Sequence, residues 1–303
     1  MPTLSLDGHA DEDQWIWESF RYHSRTFSLA AYLLPRSVQM SVATLYLYCR
    51  RVDSIADQRV LEVGRERALE EVHAVRDRLD ATLDGHPPSD AVLWRRLAEV
   101  NEHASLPRAP LYELIEGATW DLEARPIATK EDLIDYSNLV GGSVGAMMLP
   151  FLAASERHDV LEPAARRLGI AMQITNIVRD VGEDIDDLDR VYLPEQWLDA
   201  HEVPLAALRT ARVDDGYPDL LERAMRTAEQ YYEESFEGIA SLPFRSRHGI
   251  RAAARMYREI MNEVRANGYD NLSQRAYVPL RRKLWLLVYD GYQRRKKQVS
   301  AVA

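Results

Sequence analysis

The sequence holds a single cysteine, Cys49, in 303 residues. No disulfide framework can form, so the chain is expected in a reducing compartment, the cytoplasm. No apolar run approaches the ~18 residues that a membrane span requires. The longest, "VGAMMLPFLAA", is short and carries a proline. The opening stretch "MPTLSLDGHADEDQ" is polar and acidic, unlike a signal or transit peptide. Positive charge is in deficit: 38 Lys and Arg stand against 48 Asp and Glu, a net charge of -10. Nucleic acid is therefore not expected as the main partner. Alternating strand patterns are almost absent, and no short-period repeat occurs. No Gly-rich dinucleotide fingerprint follows a strand, so no nicotinamide cofactor is read from the chain.

What is present is helical periodicity over most of the length. Helices are predicted near 11–34, 37–57, 62–83, 89–103, 109–124, 130–154, 161–186, 217–240, 245–267 and 276–297. Breaks fall at "LLPRS", "DGHPPSD", "SLPRAP", "RPIATKED", "YLPEQ" and "SLPF". Hydrophobic residues make up 46% of the chain, enough for a sizeable core. No linker or composition shift marks a boundary, so residues 1–303 are expected to form one all-α domain.

Two helices carry polar stripes. In "YLYCRRVDSIAD", Tyr46, Arg50, Asp53 and Asp57 are spaced 4, 3 and 4, one face of a helix. Val42, Ala43, Leu45, Leu47, Val52, Ile55 and Ala56 make most of the remaining circumference apolar, as in a buried helix. In "AMQITNIVRDVGEDIDD", Gln173, Asn176, Asp180 and Asp184 are spaced 3, 4 and 4, with Arg179 beside them. A lone Asp-x-x-x-Asp is ordinarily a solvated face. Two copies, each on an apolar helix with a partner arginine, read differently. Two ionised carboxylates ~6 Å apart repel by roughly 3 kcal/mol at an effective dielectric near 20. Hard divalent cations remove that cost, and Mg²⁺ completes its shell with water and substrate phosphates. The stripes thus point to Mg²⁺ ions bridging to a diphosphate, with Arg50 and Arg179 as phosphate contacts.

These residues resemble a known family, the head-to-head trans-prenyl synthases that make phytoene and squalene. "YCRRVDSIAD" resembles its first aspartate-rich motif and "QITNIVRDVGEDIDDLDRVYLP" its second. "YSNLVGGSVGAMM" is similar to its middle helix, with Gly141 where alanine is usual. "HSRTFSLAAYLLP" resembles the N-terminal flap region. "ARMYREIMNEVRANGYDNLSQRAYVPLRRKL" resembles the C-terminal segment and leans toward phytoene synthase. The resemblance spans roughly residues 15 to 290.

The resemblance implies an isoprenoid-synthase helical bundle around a central cavity. It implies two prenyl diphosphate substrates and Mg²⁺, with Mn²⁺ as a substitute. By the same resemblance Asp53, Asp57, Asp180 and Asp184 hold the metals, joined by Asn176. His23, Arg50, Gln173, Asn176, Arg179 and Tyr257 contact diphosphate or metal-linked water. Tyr46, Tyr136 and Tyr257 stand as candidates for stabilising a carbocation or relaying a proton, with the released diphosphate as the alternative base. The expected reaction joins two geranylgeranyl diphosphates through a cyclopropylcarbinyl diphosphate to phytoene, in carotenoid biosynthesis, without NADPH. The rival within the family is a C15 user making squalene, presqualene diphosphate or dehydrosqualene. A non-catalytic helical module would have eroded the motif carboxylates and arginines, and all are present. A head-to-tail elongase normally carries adjacent aspartates, which "DSIAD" lacks.

Other residues have plainer readings. Cys49 is a small buried hydrophobe, Asp121 a capping or salt-bridging residue, and Arg275 a support for the cavity mouth. Arg190 and Tyr192 either close over the site or are structural. Glu183, Asp186 and Asp187 form a solvated acidic face. Small residues Gly141, Gly142, Ser143 and Gly145 make room for a prenyl chain or a close helix contact. The tail "RRKLWLLVYDGYQRRKKQ" is basic at both ends and apolar between, and is read either as a last packed helix or as a peripheral contact with an anionic membrane.

Overall fold

A computed structural model describes residues 9–89, 91–211, 215–283 and 285–286. Helices follow one another with short connections, and no strand occurs among the described residues. The chain opens with α1 (His9–His23) and α2 (Arg25–Ala31), then α3 (Arg36–Ser54), which runs through a π-helical turn (Ile55–Arg59) into α4 (Val60–Val63). Next come α5 (Arg65–Leu83), α6 (Val92–Ala104) and α7 (Arg108–Leu122). The middle region is α8 (Lys130–Ser137), a second π-helical turn (Asn138–Gly142), α9 (Ser143–Met147), α10 (Leu149–Leu152) and a 3₁₀ turn (Ser155–Arg157). The long α11 (His158–Leu188) leads to the short α12 (Glu195–Ala200) and α13 (Leu205–Arg209), then α14 (Gly216–Ala240) and α15 (Phe244–Ala266).

The all-α expectation holds, and the boundaries differ where local chemistry intervenes. The helix expected over 11–34 breaks at Ser24. That residue is extended (φ -147°, ψ 103°), and its hydroxyl accepts from Phe27 N–H at 3.1 Å, capping α2. The helix expected over 130–154 is four pieces. Its start carries a capping box, in which Thr129 and Asp132 each accept the other's backbone N–H. The short helices α12 and α13 lie in a stretch for which no helix was predicted. The helix expected over 276–297 begins only at residue 280, and most of the basic tail lies outside the described residues.

Two apolar cores build the molecule. One gathers α1, α3, α5, α6 and α7 around Tyr48, Leu97, Leu111 and Leu114. The Tyr48 hydroxyl donates to the Leu111 carbonyl at 2.8 Å and ties α3 to α7. The other gathers α8, α11, α14 and α15 around Ile174, Val178, Tyr217 and Tyr232. Phe27, Val140 and Ile250 pack against both. The seam is tight on one side. A Cβ on Gly141 would meet Gln173 Cβ at 2.8 Å and strike the Gly169 carbonyl of α11. The small residues of the middle helix thus serve close backbone contact there. On the other side the two cores stand apart and leave a shaft.

Candidate active site

The shaft encloses about 1410 Å³ of space not filled by atoms, its open mouth included. Along α11 its wall is Leu161, Ala165, Leu168, Met172 and Asn176. They are spaced 4, 3, 4 and 4, one helical face. That face is apolar below and polar at the top, where Gln173 and Asn176 stand opposite Tyr46 and Asp53 of α3. Just beneath lies an aromatic collar. Phe27 packs on Tyr257 with centroids 5.0 Å apart and on Tyr46 at 6.0 Å, and Phe20 meets Tyr46 at 4.8 Å. Cys49 also lines the shaft, and burial pushes its thiol well above the ordinary range, so it is an inert hydrophobe.

Of the four aspartates Asp53 lines the shaft, and the two pairs sense one another's charge. Burial, then the neighbouring Asp57 charge, pushes the Asp53 carboxyl up to about 7, against the pull of Arg50. Burial raises Asp57 too; Arg190 and Arg50 oppose the rise, and Asp180 adds to it. Asp184 is pushed up to about 8 by burial, by Asp180 and by Asp57 across the gap. Each pair thus feels the other through space. Asp180 has close partners: Arg179 Nε donates to it at 2.7 Å and Arg275 Nε at 2.9 Å. Arg179 also meets the Tyr257 hydroxyl. Arg275 reaches on to Glu183 at 3.0 Å, so Glu183 is paired rather than merely solvated.

The first pair has partners that its own helix did not announce. Arg190 donates to the Ala56 carbonyl at 3.1 Å and lies 3.7 Å from Asp57. Behind it, buried Asp121 accepts from Tyr192 at 2.8 Å and from Tyr136 at 3.0 Å. The two tyrosine rings stack with centroids 5.0 Å apart. Burial first, and Asp57 in part, lifts Asp121 to about 6 against Arg190. Tyr136 therefore sits in this network and does not line the shaft. His23 is exposed, edge-on to Tyr22 at 5.1 Å, and desolvation and the Arg50 charge hold its ring below its ordinary value.

The donor set at the mouth is one of hard oxygens. Among the described residues no three His, Cys, Asp or Glu side chains converge on a single ion. Mg²⁺ does not need three, since it commonly takes one or two carboxylates and fills its shell from water and phosphate. One further observation fits an ion. Asn176 Oδ1 is buried and has no hydrogen-bond partner, while its Nδ2 donates to Gln173 Oε1 at 3.3 Å. An orphaned acceptor near carboxyls raised first by burial and then by one another's charge is compatible with a cation.

An apolar shaft walled by helices and capped by aspartate pairs and arginines defines the class, an all-α isoprenoid-synthase architecture. Residues 20–282 match the squalene/phytoene synthase family, and the chain belongs to that family. The phytoene synthase of Cereibacter sphaeroides is 38% identical over 275 residues, 89% of this chain and 76% of that protein. That of Thermus thermophilus is 36% identical over 270 residues, 88% of this chain and 89% of its own. A dehydrosqualene synthase crystallised with ligand superposes with a TM-score of 0.84 at 31% identity, covering 94% of this chain and 97% of that one. No helix among the described residues is long and apolar enough to cross a membrane.

Proposed function

We propose that the protein joins two geranylgeranyl diphosphates head to head to give phytoene, in carotenoid biosynthesis. The observation that carries this reading is the shaft beneath the carboxylates. From Asn176 to Leu161 the lining face of α11 descends 15 residues, roughly 22 Å at 1.5 Å per residue. An extended chain advances ~3.5 Å per three bonds. A C20 prenyl group, about 15 bonds along its main chain, then reaches roughly 18 Å, and a C15 group roughly 13 Å. The shaft admits either chain, and the C20 group comes nearer to filling it.

In the first half-reaction one allylic diphosphate ionises, and its carbon closes a cyclopropane on the double bond of the second, with loss of diphosphate and a proton. In the second the cyclopropylcarbinyl diphosphate ionises, rearranges to the 1–1′ linkage and loses a proton. Asp53, Asp57, Asp180, Asp184 and the orphaned Asn176 Oδ1 would hold Mg²⁺, or Mn²⁺ in its place. When bound, the metal draws charge off the leaving diphosphate. Arg50 and Arg179 contact the same oxygens, Gln173 orients Asn176, and His23 lies at the entry beside Arg50. The Phe27–Tyr46–Tyr257 collar excludes water and presents ring faces to developing positive charge. Burial pushes the hydroxyls of Tyr46, Tyr136 and Tyr257 up, so none stands ready as a phenolate base. The released diphosphate is the base we assign. NADPH has no part in this sequence.

A product assay tests the reading. Purified protein with Mg²⁺ meets geranylgeranyl or farnesyl diphosphate, each with and without NADPH. A C40 hydrocarbon from the C20 substrate, independent of NADPH, is expected. A C30 product alone would move the protein to the dehydrosqualene side of the family, which the ligand-bound structural relative represents.

A further inference from the structure

On either side of Asp180, α11 is gripped by a single buried residue. Asn271 is 3% exposed. Its amide donates to the Val178 carbonyl, and its own backbone carbonyl accepts from the Gly182 N–H at 3.1 Å. In a regular α-helix Val178 C=O and Gly182 N–H are partners in one rung. Asn271 supplies a partner to both members of that rung, and the rung straddles Asp180. The approach is as close as backbone allows. A Cβ at position 182 would fall 2.8 Å from the Leu272 carbonyl carbon and nearer still to its oxygen, so only glycine fits. The grip is itself held from behind. The Tyr217 hydroxyl of α14 donates to Asn271 Oδ1 at 2.6 Å, and Tyr217 is fully buried.

We propose that Asn271 is a positioning residue for the second metal-binding pair. By occupying both ends of the Val178–Gly182 rung, which closes half a turn ahead of Asp184, it fixes the rise and rotation of α11 around Asp180. It thereby fixes where the Asp180 carboxylate is presented relative to Asp184. The inference rests on the metal-binding reading of that pair. Small errors in ligand placement are costly at such sites, where loss of a supporting contact typically costs 10–100-fold in metal affinity.

The test is Mn²⁺ binding with inorganic diphosphate present, read by EPR on the full chain. Asn271→Leu keeps the volume and removes both side-chain bonds; Tyr217→Phe removes only the hydroxyl that holds Asn271. Tyr232→Phe is the control. Its hydroxyl lies 3.1 Å from Thr175 Oγ1 on the same helix, away from the rung. Affinity about tenfold weaker in Asn271→Leu and a few-fold weaker in Tyr217→Phe is expected, with Tyr232→Phe unchanged. Thermal unfolding of all three separates a lost fold from a misplaced ligand. Folded Asn271→Leu or Tyr217→Phe protein binding Mn²⁺ as tightly as wild type would overturn the positioning role. Should Asn271→Leu not fold, Tyr217→Phe decides alone. Wild-type protein that binds no Mn²⁺ would instead overturn the metal reading beneath it.

Discussion

The two aspartate pairs share a sequence pattern and differ in how the fold supports them. Asp53 and Asp57 rise from the first core, where α3 passes into a π-helical turn beginning at Ile55. Their supports come from far along the chain: Arg190, and through it the Asp121–Tyr136–Tyr192 network. Asp180 and Asp184 rise from the second core, on an α11 held from outside by Asn271. Asp180 is closely paired with two arginines, whereas Asp184 is opposed only at a distance by Arg179. Equal spacing therefore does not give equal electrostatics. Both halves contribute one carboxyl lifted to about 7 or 8, and burial is the largest cause in each. On the proposed reading a cation between the two pairs would offset both the burial and the repulsion.

The sharpest test is to neutralise one member of each pair. Asp53→Asn and Asp180→Asn are each expected to lower turnover by ~10³-fold or more while circular dichroism stays helical, if the pairs hold the metal as proposed. Near-normal activity in either would break the equivalence of the pairs. A smaller effect separates their supports. Arg190→Gln loses the fork that reaches Ala56 and Asp57, and kcat/KM is expected to fall 10–100-fold. Arg275→Gln leaves Arg179 on Asp180, and a loss of only a few-fold is expected. Equal losses would mean that the two pairs lean on their arginines alike.

Stability should separate the pairs by sign. Without metal, Asp184→Asn removes a carboxyl that burial and its neighbours disfavour, and Tm is expected to rise by a few degrees. Asp180→Asn leaves Arg179 and Arg275 without their shared carboxylate, and Tm is expected to fall. Calorimetry of the two variants in EDTA gives the comparison directly. A rise in both would show that the arginine pairing contributes nothing to the fold.

Much of this was legible in the sequence because helical spacing is local. The stripes Tyr46–Arg50–Asp53–Asp57 and Gln173–Asn176–Asp180–Asp184 predict which side chains share a face, and the structure places Tyr46, Asp53, Gln173 and Asn176 together at the mouth. Cys49 as a buried hydrophobe was legible for the same reason. The break at Ser24 had a visible agent, since serine is a strong N-cap, but periodicity on both sides masked it. The π-helical turns leave no mark in the sequence, because an i→i+5 bond needs no particular residue type. From the sequence, Arg190 reads as closing over the site or as structural, without its partners, and Asn271 is not singled out at all. Each acts on a helix from which a long stretch of chain separates it, and only tertiary packing joins them. Tyr136, a candidate for stabilising a carbocation or relaying a proton, bonds to Asp121 through a contact between α8 and α7 that no spacing encodes.

The smallest expected effect is a pH dependence of stability, and its sign follows from the raised carboxyls. Asp121, Asp53 and Asp184 titrate near 6, 7 and 8 in the folded protein, all above the ~3.9 of an unfolded aspartate. Between those limits the folded state binds more protons than the unfolded one. The stability these groups contribute is therefore complete below about pH 4 and is lost as pH rises through 6 to 8. His23 works the other way over part of that window, because its lowered value favours the fold as pH rises, but it is one exposed ring against those three carboxyls and the likewise raised Asp57 and Glu183. Glu222 and Asp270, held low by Arg265 and by Ser273, matter only on acidification below the ordinary carboxyl range. In EDTA, Tm is expected to decline by a few degrees from pH 5.5 to 8.5. With Mg²⁺ and diphosphate the decline should flatten, because a cation between the pairs favours the ionised carboxylates that the apo site disfavours. A slope unchanged by Mg²⁺ and diphosphate would place the ion elsewhere than between these four aspartates.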